Sequence, residues 1–162
     1  MNWQEACEHP SLRNLPFKIE LNEFGKIVMA PVRVNHSIYQ AEIAHLMLLM
    51  RSDGKAMVEC AIHTRMGTKA ADVAWASRER FEQIRHEVEC SIAPEVCVEV
   101  FVEVFSPGNT AQEMREKQGL YFEAGAEEVW YCDEDGRLSF FDAEGPLATS
   151  RLFPEFPQNI EL

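Results

Sequence analysis

The side chains best suited to chemistry in this sequence are carboxylates placed where carboxylates are unfavourable by default. Between Val96 and Phe105 every residue is apolar except Glu99 and Glu103. A run so rich in valine and phenylalanine reads as a central strand covered on both faces. A buried ionised carboxylate is strongly disfavoured unless it is paired, fully hydrogen-bonded or bound to a cation, so each glutamate needs a partner. The strand period of two puts Cys97, Glu99, Phe101, Glu103 and Phe105 on one face. The two glutamates then stand about 13 Å apart at roughly 3.3 Å per residue, and one compact cation site can use only one of them. Ser106-Pro107-Gly108 ends the strand. Asn109 or Thr110 caps the helix that follows, with Thr110 and Glu113 in capping-box spacing, and Lys117 lies two turns in. A carboxylate near the end of a buried strand, followed by a helix that carries a lysine, is the arrangement in this sequence that points most directly to function.

The bulk composition limits the fold and the chemistry open to the chain. At 162 residues and 46% hydrophobic composition the chain can fill one core, and no compositional shift marks a second domain. No apolar run approaches the roughly 18 residues of a membrane span, and no basic segment precedes an apolar one at the N-terminus. The expectation is a cytosolic protein without a membrane segment. Five cysteines (Cys7, Cys60, Cys90, Cys97, Cys132) are scattered without a Cys-x-x-Cys pair and read as reduced core residues. A formal charge of −12 argues against coating nucleic acid by electrostatics alone. A local basic patch is still open, because Arg65, Lys69, Arg78, Arg80 and Arg85 hold a third of the 15 Lys and Arg residues. A solvated charged surface is the plainer explanation of that cluster.

The elements that must position the acidic groups follow from pattern. Trp3 to Glu8 suggests a short helix stopping before Pro10, with Trp3 and Cys7 inward. Phe17–Leu21 and Lys26–Pro31 flank a Gly25 turn and read as a hairpin, in which Lys18 and Glu20 alternate with apolar residues and face solvent. Asn35 can cap a helix from about His36 to Met50, with Ile38, Ile43, Leu46, Met47, Leu49 and Met50 as its packed face. Lys55–His63 reads as a strand with Met57, Glu59, Ala61 and His63 on one side. Arg65–Lys69 reads as a loop, and Ala71–Ala76, containing Asp72, as the next strand. Ser77 caps a helix over Arg78–Glu89, and Gly125 sits just past the end of the helix that carries Lys117. Val129–Cys132 and Leu138–Phe141 form a last hairpin, and the tail from about Glu144 is mostly irregular. The fold class is α+β or mixed α/β.

Several separated motifs in this order resemble the Uma-type restriction endonuclease family, a branch of the PD-(D/E)XK nuclease superfamily. They are Ile19-Glu20-Leu21 before a glycine hairpin, His36 opening the long helix, Ala71-Asp72-Val73-Ala74-Trp75, Glu103-Val104-Phe105-Ser106-Pro107, Lys117-x-x-x-Tyr121 and Gly125-Ala126-Glu127-Glu128-Val129-Trp130. The resemblance covers roughly Ile19 to Phe141. It implies a restriction-endonuclease-like mixed sheet flanked by helices, with Asp72 and Glu103 as Mg²⁺ or Mn²⁺ ligands and Glu20 as an assisting carboxylate. The superfamily's lysine two residues after the acidic position is replaced here by Phe105, and Lys117 on the next helix looks like its substitute. The implied activity is metal-dependent hydrolysis of DNA phosphodiesters, in the cytoplasm, by a homodimer. Arg65, Lys69, Arg78 and His36 are the candidate DNA contacts. The alternative from another class is a catalytically silent relative that binds DNA or a protein partner.

Ordinary explanations stand beside these roles. Asp72 can be a strand-end aspartate bonded to backbone or to Arg65, Lys117 a solvated lysine on a helix dense with Glu113, Arg115 and Glu116, and His36 a residue at a positive helix end. The doubled Val-Glu-Val-Phe at Val98–Phe101 and Val102–Phe105 adds a choice. Counting back from Ser106-Pro107 and Lys117 selects Glu103 as the ligand, whereas counting forward from Pro94 selects Glu99. The turn that must present Lys117 to the same cation favours Glu103.

Overall fold

The computed structural model describes residues 1–90, 92–95 and 98–162. Helix α1 (Trp3–Glu8) is followed by a short 3-10 turn, the hairpin β1 (Phe17–Leu21) and β2 (Ile27–Pro31), and the long helix α2 (Val34–Met50). Next come β3 (Gly54–Thr64), β4 (Gly67–Ser77) and α3 (Arg78–Glu89). The chain ends with β5 (Val100–Val104), α4 (Ala111–Glu123), β6 (Glu128–Cys132), β7 (Leu138–Asp142) and β8 (Gly145–Leu147). Strands β3 to β8 form one sheet in sequence order, antiparallel except for the β5–β6 pair, while β1 and β2 form a separate two-stranded sheet. The parallel pair needs a crossover, and α4 supplies it. The architecture is a mixed α+β sheet flanked by helices, as the sequence implies.

Each face of the large sheet has its own core. On one side Tyr39, Ile43 and Met47 of α2 pack against Val73, Trp75, Val100, Val102, Val104 and Trp130. On the other, Ile84 of α3 and Met114 and Tyr121 of α4 pack on Phe101, Val129 and Tyr131. Burying large apolar side chains at about 1.5–3 kcal/mol each drives this sandwiching. The caps read from sequence set the helix starts: the Ser77 hydroxyl accepts from the Arg80 N–H, and Thr110 and Glu113 close a reciprocal capping box.

Several local expectations need correction. The central strand covers Val100–Val104 alone; Val96 and Cys97 lie outside the described residues, and the Glu99 carbonyl accepts from Glu127 and Glu128 N–H as a junction into β6. Helix α2 begins at Val34 with Arg33 as its cap, not at His36 after Asn35. Its inward face is His36, Tyr39, Gln40, Ile43, Ala44 and Met47, leaving Ile38, Leu49 and Met50 exposed. In α1, Ala6 is buried while Trp3 is half-buried and Cys7 exposed, because a helix of six residues offers only one turn to the body. Cys60 is half-buried and Cys90 exposed, so among the described cysteines only Cys132 sits in the core. Strand β4 extends back to Gly67, converting the expected loop into a tight turn. The tail is anchored: β8 pairs with β7, and Phe153, Phe156 and Ile160 are buried beside Trp130.

Two backbone features shape the region around Asp72. The β3–β4 register runs from Val58–Val73 to Cys60–Ala71 without pairing Glu59 with Asp72, and Glu59 has φ +54°. A positive φ at a non-glycine residue within a strand is a strained conformation. Strict alternation slips there: Ala71 packs in the cluster of Ala74 and Ala76 rather than with Val73 and Trp75, so the fixed faces expected for β3 do not hold. Gly67, at φ +92°, is the seat of the β1–β2 hairpin. A Cβ on it would lie 2.3 Å from the Leu21 carbonyl oxygen and 2.4 Å from Asn22 backbone, so only glycine lets the hairpin lie this close.

Candidate active site

Five elements converge on one end of the β4–β5 pair. The two strands stop pairing after Val73–Val102, and the Asp72 carboxylate fills the gap, accepting the Val104 N–H at 2.6 Å. Glu103 comes alongside from β5. From the hairpin, Lys18 places its ammonium 2.6 Å from Asp72 Oδ1 and 3.5 Å from Glu103 Oε2. Period two along β1 brings Glu20 to the same face, where it accepts from the Ala70 N–H at 3.0 Å. Lys117 of α4 bridges Glu20 at 2.7 Å and Glu103 at 3.4 Å. Tyr121, one turn further along α4, donates its hydroxyl to Glu103. From α2, His36 Nε2 stands 3.3 Å from Asp72 Oδ2, and Gln40, again one turn on, donates to the Asp72 carbonyl at 3.1 Å and to Glu59 at 2.6 Å. Gln40 thereby occupies the interruption in the β3–β4 ladder.

The electrostatics follow from burial and pairing. Burial works against ionised Asp72, but His36 and Lys18 outweigh it and hold the carboxyl well below the usual carboxylate range. Burial likewise opposes the charged Glu20, yet Lys117 and Lys18 with the Ala70 N–H keep it below its ordinary value. Glu103 goes the other way: complete burial raises it, Lys117 and Lys18 offset this only in part, and Asp72 and Glu20 add repulsion. Burial would discharge both lysines, but the surrounding carboxylates keep Lys18 and Lys117 above their ordinary values. His36 is also raised, its pairing with Asp72 exceeding the penalty of burial. The site is thus a nearly balanced set of three carboxylates, two ammonium groups and an imidazole.

This cluster forms the floor of a cavity of about 820 Å³. One wall is the apolar run Val28–Val32 of the hairpin, and the other is the Ser106–Asn109 turn with Glu113 and Glu116. Of the candidates named from sequence, Asp72, Glu103, Lys117, Glu20 and His36 meet here, and Lys69 and Arg65 line the cavity's rim. Glu99 does not: its carboxylate takes the Ser77 N–H and hydroxyl at the opposite end of β5. Arg78 is also remote, following Ser77 at the far end of β4, roughly 26 Å from Lys69 at about 3.3 Å per residue. The basic run in sequence is therefore not one patch. Arg65 pairs with Glu123 rather than Asp72, and Arg85 with Glu82. Sequence reasoning gave no role to Lys18, Tyr121 or Gln40. Their signal was spacing: Lys18 shares a strand face with Glu20, Tyr121 follows Lys117 by one helical turn, and Gln40 follows His36 likewise.

The oxygen donors suit a hard divalent ion, which keeps several waters and needs only one or two carboxylates. Asp72 and Glu103 already face one cationic nitrogen from two strands. Among the described residues no three acidic, histidine or cysteine side chains converge as a closed metal cage. The donor set fits a partly hydrated Mg²⁺ or Mn²⁺ bound through Asp72 and Glu103, in the space that Lys18 reaches.

Comparison with known proteins identifies the family and the fold. The Uma2 family, described as "Putative restriction endonuclease", matches residues 3–160. The chain belongs to the Uma2 family. Among solved structures it is similar to a protein from Anabaena variabilis ATCC 29413 described as "a putative nuclease belonging to DUF820", with a TM-score of 0.70 at 14% identity. That match covers 87% of this chain and 86% of the other, and it shows a shared fold. No curated protein matches the chain. As a Uma2 protein it has a nuclease-like fold and a nuclease-like family function, and no helix among its described residues is long and apolar enough to cross a membrane.

Proposed function

We propose that this Uma2 protein is a Mg²⁺- or Mn²⁺-dependent DNA endonuclease that hydrolyses phosphodiester bonds in the cytoplasm. The observation that carries the reading is the presentation of Asp72 and Glu103 to one cation at the floor of an open cavity, with Lys117 beside them. Asp72 and Glu103 would hold the divalent ion, which when bound would supply Lewis acidity at the scissile phosphate and lower the pKa of a coordinated water. The chain's own groups do the rest. Lys117 orients the attacking water and offsets charge developing on the phosphoryl oxygens, while Glu20 fixes the ammonium and Tyr121 fixes Glu103. The water oxygen bonds to phosphorus as one of its protons passes to solvent, the bond to the sugar oxygen breaks, and that oxygen takes a proton from solvent and leaves as a hydroxyl. Lys69 and Arg65 at the rim are the candidate phosphate contacts, with His36 within the floor. Cutting both strands of a duplex calls for two sites, so the working form in this reading is a homodimer.

Purified protein should nick plasmid DNA with Mn²⁺ or Mg²⁺, stop on addition of EDTA, and lose cleavage in Asp72→Ala. Cleavage that survives in Asp72→Ala ends the proposal. A second reading is a silent module that binds DNA or a protein through the same cavity; the formal charge of −12 and Glu113 and Glu116 on one wall favour a protein partner. DNA binding by gel shift without cleavage at any divalent ion concentration would select it.

A further inference from the structure

We infer that Lys18 is a tethered stand-in cation, which holds Asp72 and Glu103 until a divalent ion displaces it, so that the β1–β2 hairpin sets the site's affinity for metal. The inference rests on the metal-dependent reading above.

Three observations carry it. The first is position: the Lys18 ammonium lies 2.6 Å from Asp72 and 3.5 Å from Glu103, between the two carboxylates a metal would share. Mg²⁺ takes oxygen ligands at about 2.0–2.1 Å, so ion and ammonium cannot occupy that point together. The second is exchangeability. If Lys18 leaves, Asp72 keeps the Val104 N–H and His36, and Glu103 keeps Tyr121 and Lys117. Lys117 lacks this freedom, because its departure takes from Glu20 the ammonium that donates to it at 2.7 Å. The third is the setting of the tether. Lys18 stands on a two-stranded sheet that is not part of the six-stranded ladder, and its side chain borders the cavity, into which a flexible four-carbon stem can swing. Lys18 therefore neutralises buried carboxylates that would otherwise repel one another, and it competes for the position it protects.

The test uses the full chain stripped with EDTA and titrated with Mn²⁺ in a calorimeter. Lys18→Met and Lys18→Gln should bind Mn²⁺ about tenfold or more tightly than the wild type, the scale set by removing one buried ion-pair partner. Both variants should also melt at lower temperature without metal and gain more from Mn²⁺ than the wild type does. Should neither variant fold by circular dichroism, the wild type still answers: Mn²⁺ should raise the rate at which acetic anhydride labels Lys18, read by peptide mass spectrometry. Wild-type binding that depends on Asp72, combined with unchanged or weaker binding in a folded Lys18 variant, overturns this inference and leaves the nuclease reading intact. Unchanged or slower Lys18 labelling overturns it likewise. Absence of Mn²⁺ binding in the wild type and in both variants overturns the two together.

Discussion

At the start of β5 and β6, Glu99 and Glu128 are answered by neutral donors, whereas at the other end of β5 Glu103 and the neighbouring Asp72 of β4 are answered largely by charged ones. Glu128 accepts from Trp130 Nε1 at 2.7 Å, the Ser150 hydroxyl at 2.6 Å and the N–H groups of Arg151 and Leu152. Glu99 accepts from the Ser77 N–H and hydroxyl. These donors belong to the backbone, to serine hydroxyls or to the core-packed Trp130 ring, so they cannot leave without breaking the fold. Such carboxylates are pins: Glu128 ties the C-terminal segment to the sheet, and Glu99 ties β4 to the start of β5. At the cavity end the partners include long, flexible lysines that can exchange for another cation. Burial alone does not mark a site; a buried carboxylate whose partner can be replaced does.

The comparison can be broken at either end. The largest effect is expected from Asp72→Asn, which should lower the initial rate of plasmid nicking with Mn²⁺ by about 10³-fold or more, while the same assay on Glu99→Gln should give wild-type rates. Next comes Glu128→Ala. Leaving two side-chain and two backbone donors without an acceptor should cost about 3 kcal/mol in urea unfolding, with Mn²⁺ affinity by calorimetry unchanged. If Glu128→Ala instead weakens metal binding, the two ends are not independent. Lys117→Met should then slow cleavage roughly 10²-fold without weakening Mn²⁺ binding, separating the orienting lysine from the ligands. The smallest effect is a pH dependence. The folded-state value of His36 is raised, so its contribution to stability is fully present below pH about 6.5 and is lost as pH rises through the raised value. Urea midpoints of the wild type should therefore drop relative to those of His36→Gln between pH 5.5 and 9, and parallel profiles would remove His36 from the balance around Asp72.

Much of the fold was legible because local signals stated it. The capping box at Thr110 and Glu113, the Ser77 cap, and Gly125 after α4 name the ends of two helices, and period-two patterns name most strands. The family resemblance named the acidic residues expected to meet, and the count back from Ser106-Pro107 and Lys117 preferred Glu103; the structure brings Glu103, not Glu99, to Asp72. What escaped depends on contacts distant in sequence. Alternation in β1 shows that Lys18 and Glu20 share a face, but not that this face lies over β4 instead of solvent. Helix α2 hid its packed side because His36 and Gln40 take inward positions to serve Asp72, while Ile38 and Leu49 are left outside. The tail offered no periodicity, since Phe153, Phe156 and Ile160 are buried one at a time by an irregular chain crossing over Trp130. The slip at Glu59 and Asp72 has no sequence signature, as neither residue is a glycine or proline.

Gly67 has a role out of proportion to its size. It touches none of the reactive groups, yet the hairpin that delivers both an ammonium and a carboxylate rests on its bare α-carbon. The hairpin's own side chains can vary one by one and retune the chemistry gradually. A single methyl group at position 67 would unseat them all together, making this glycine a structural keystone for one whole wall of the cavity.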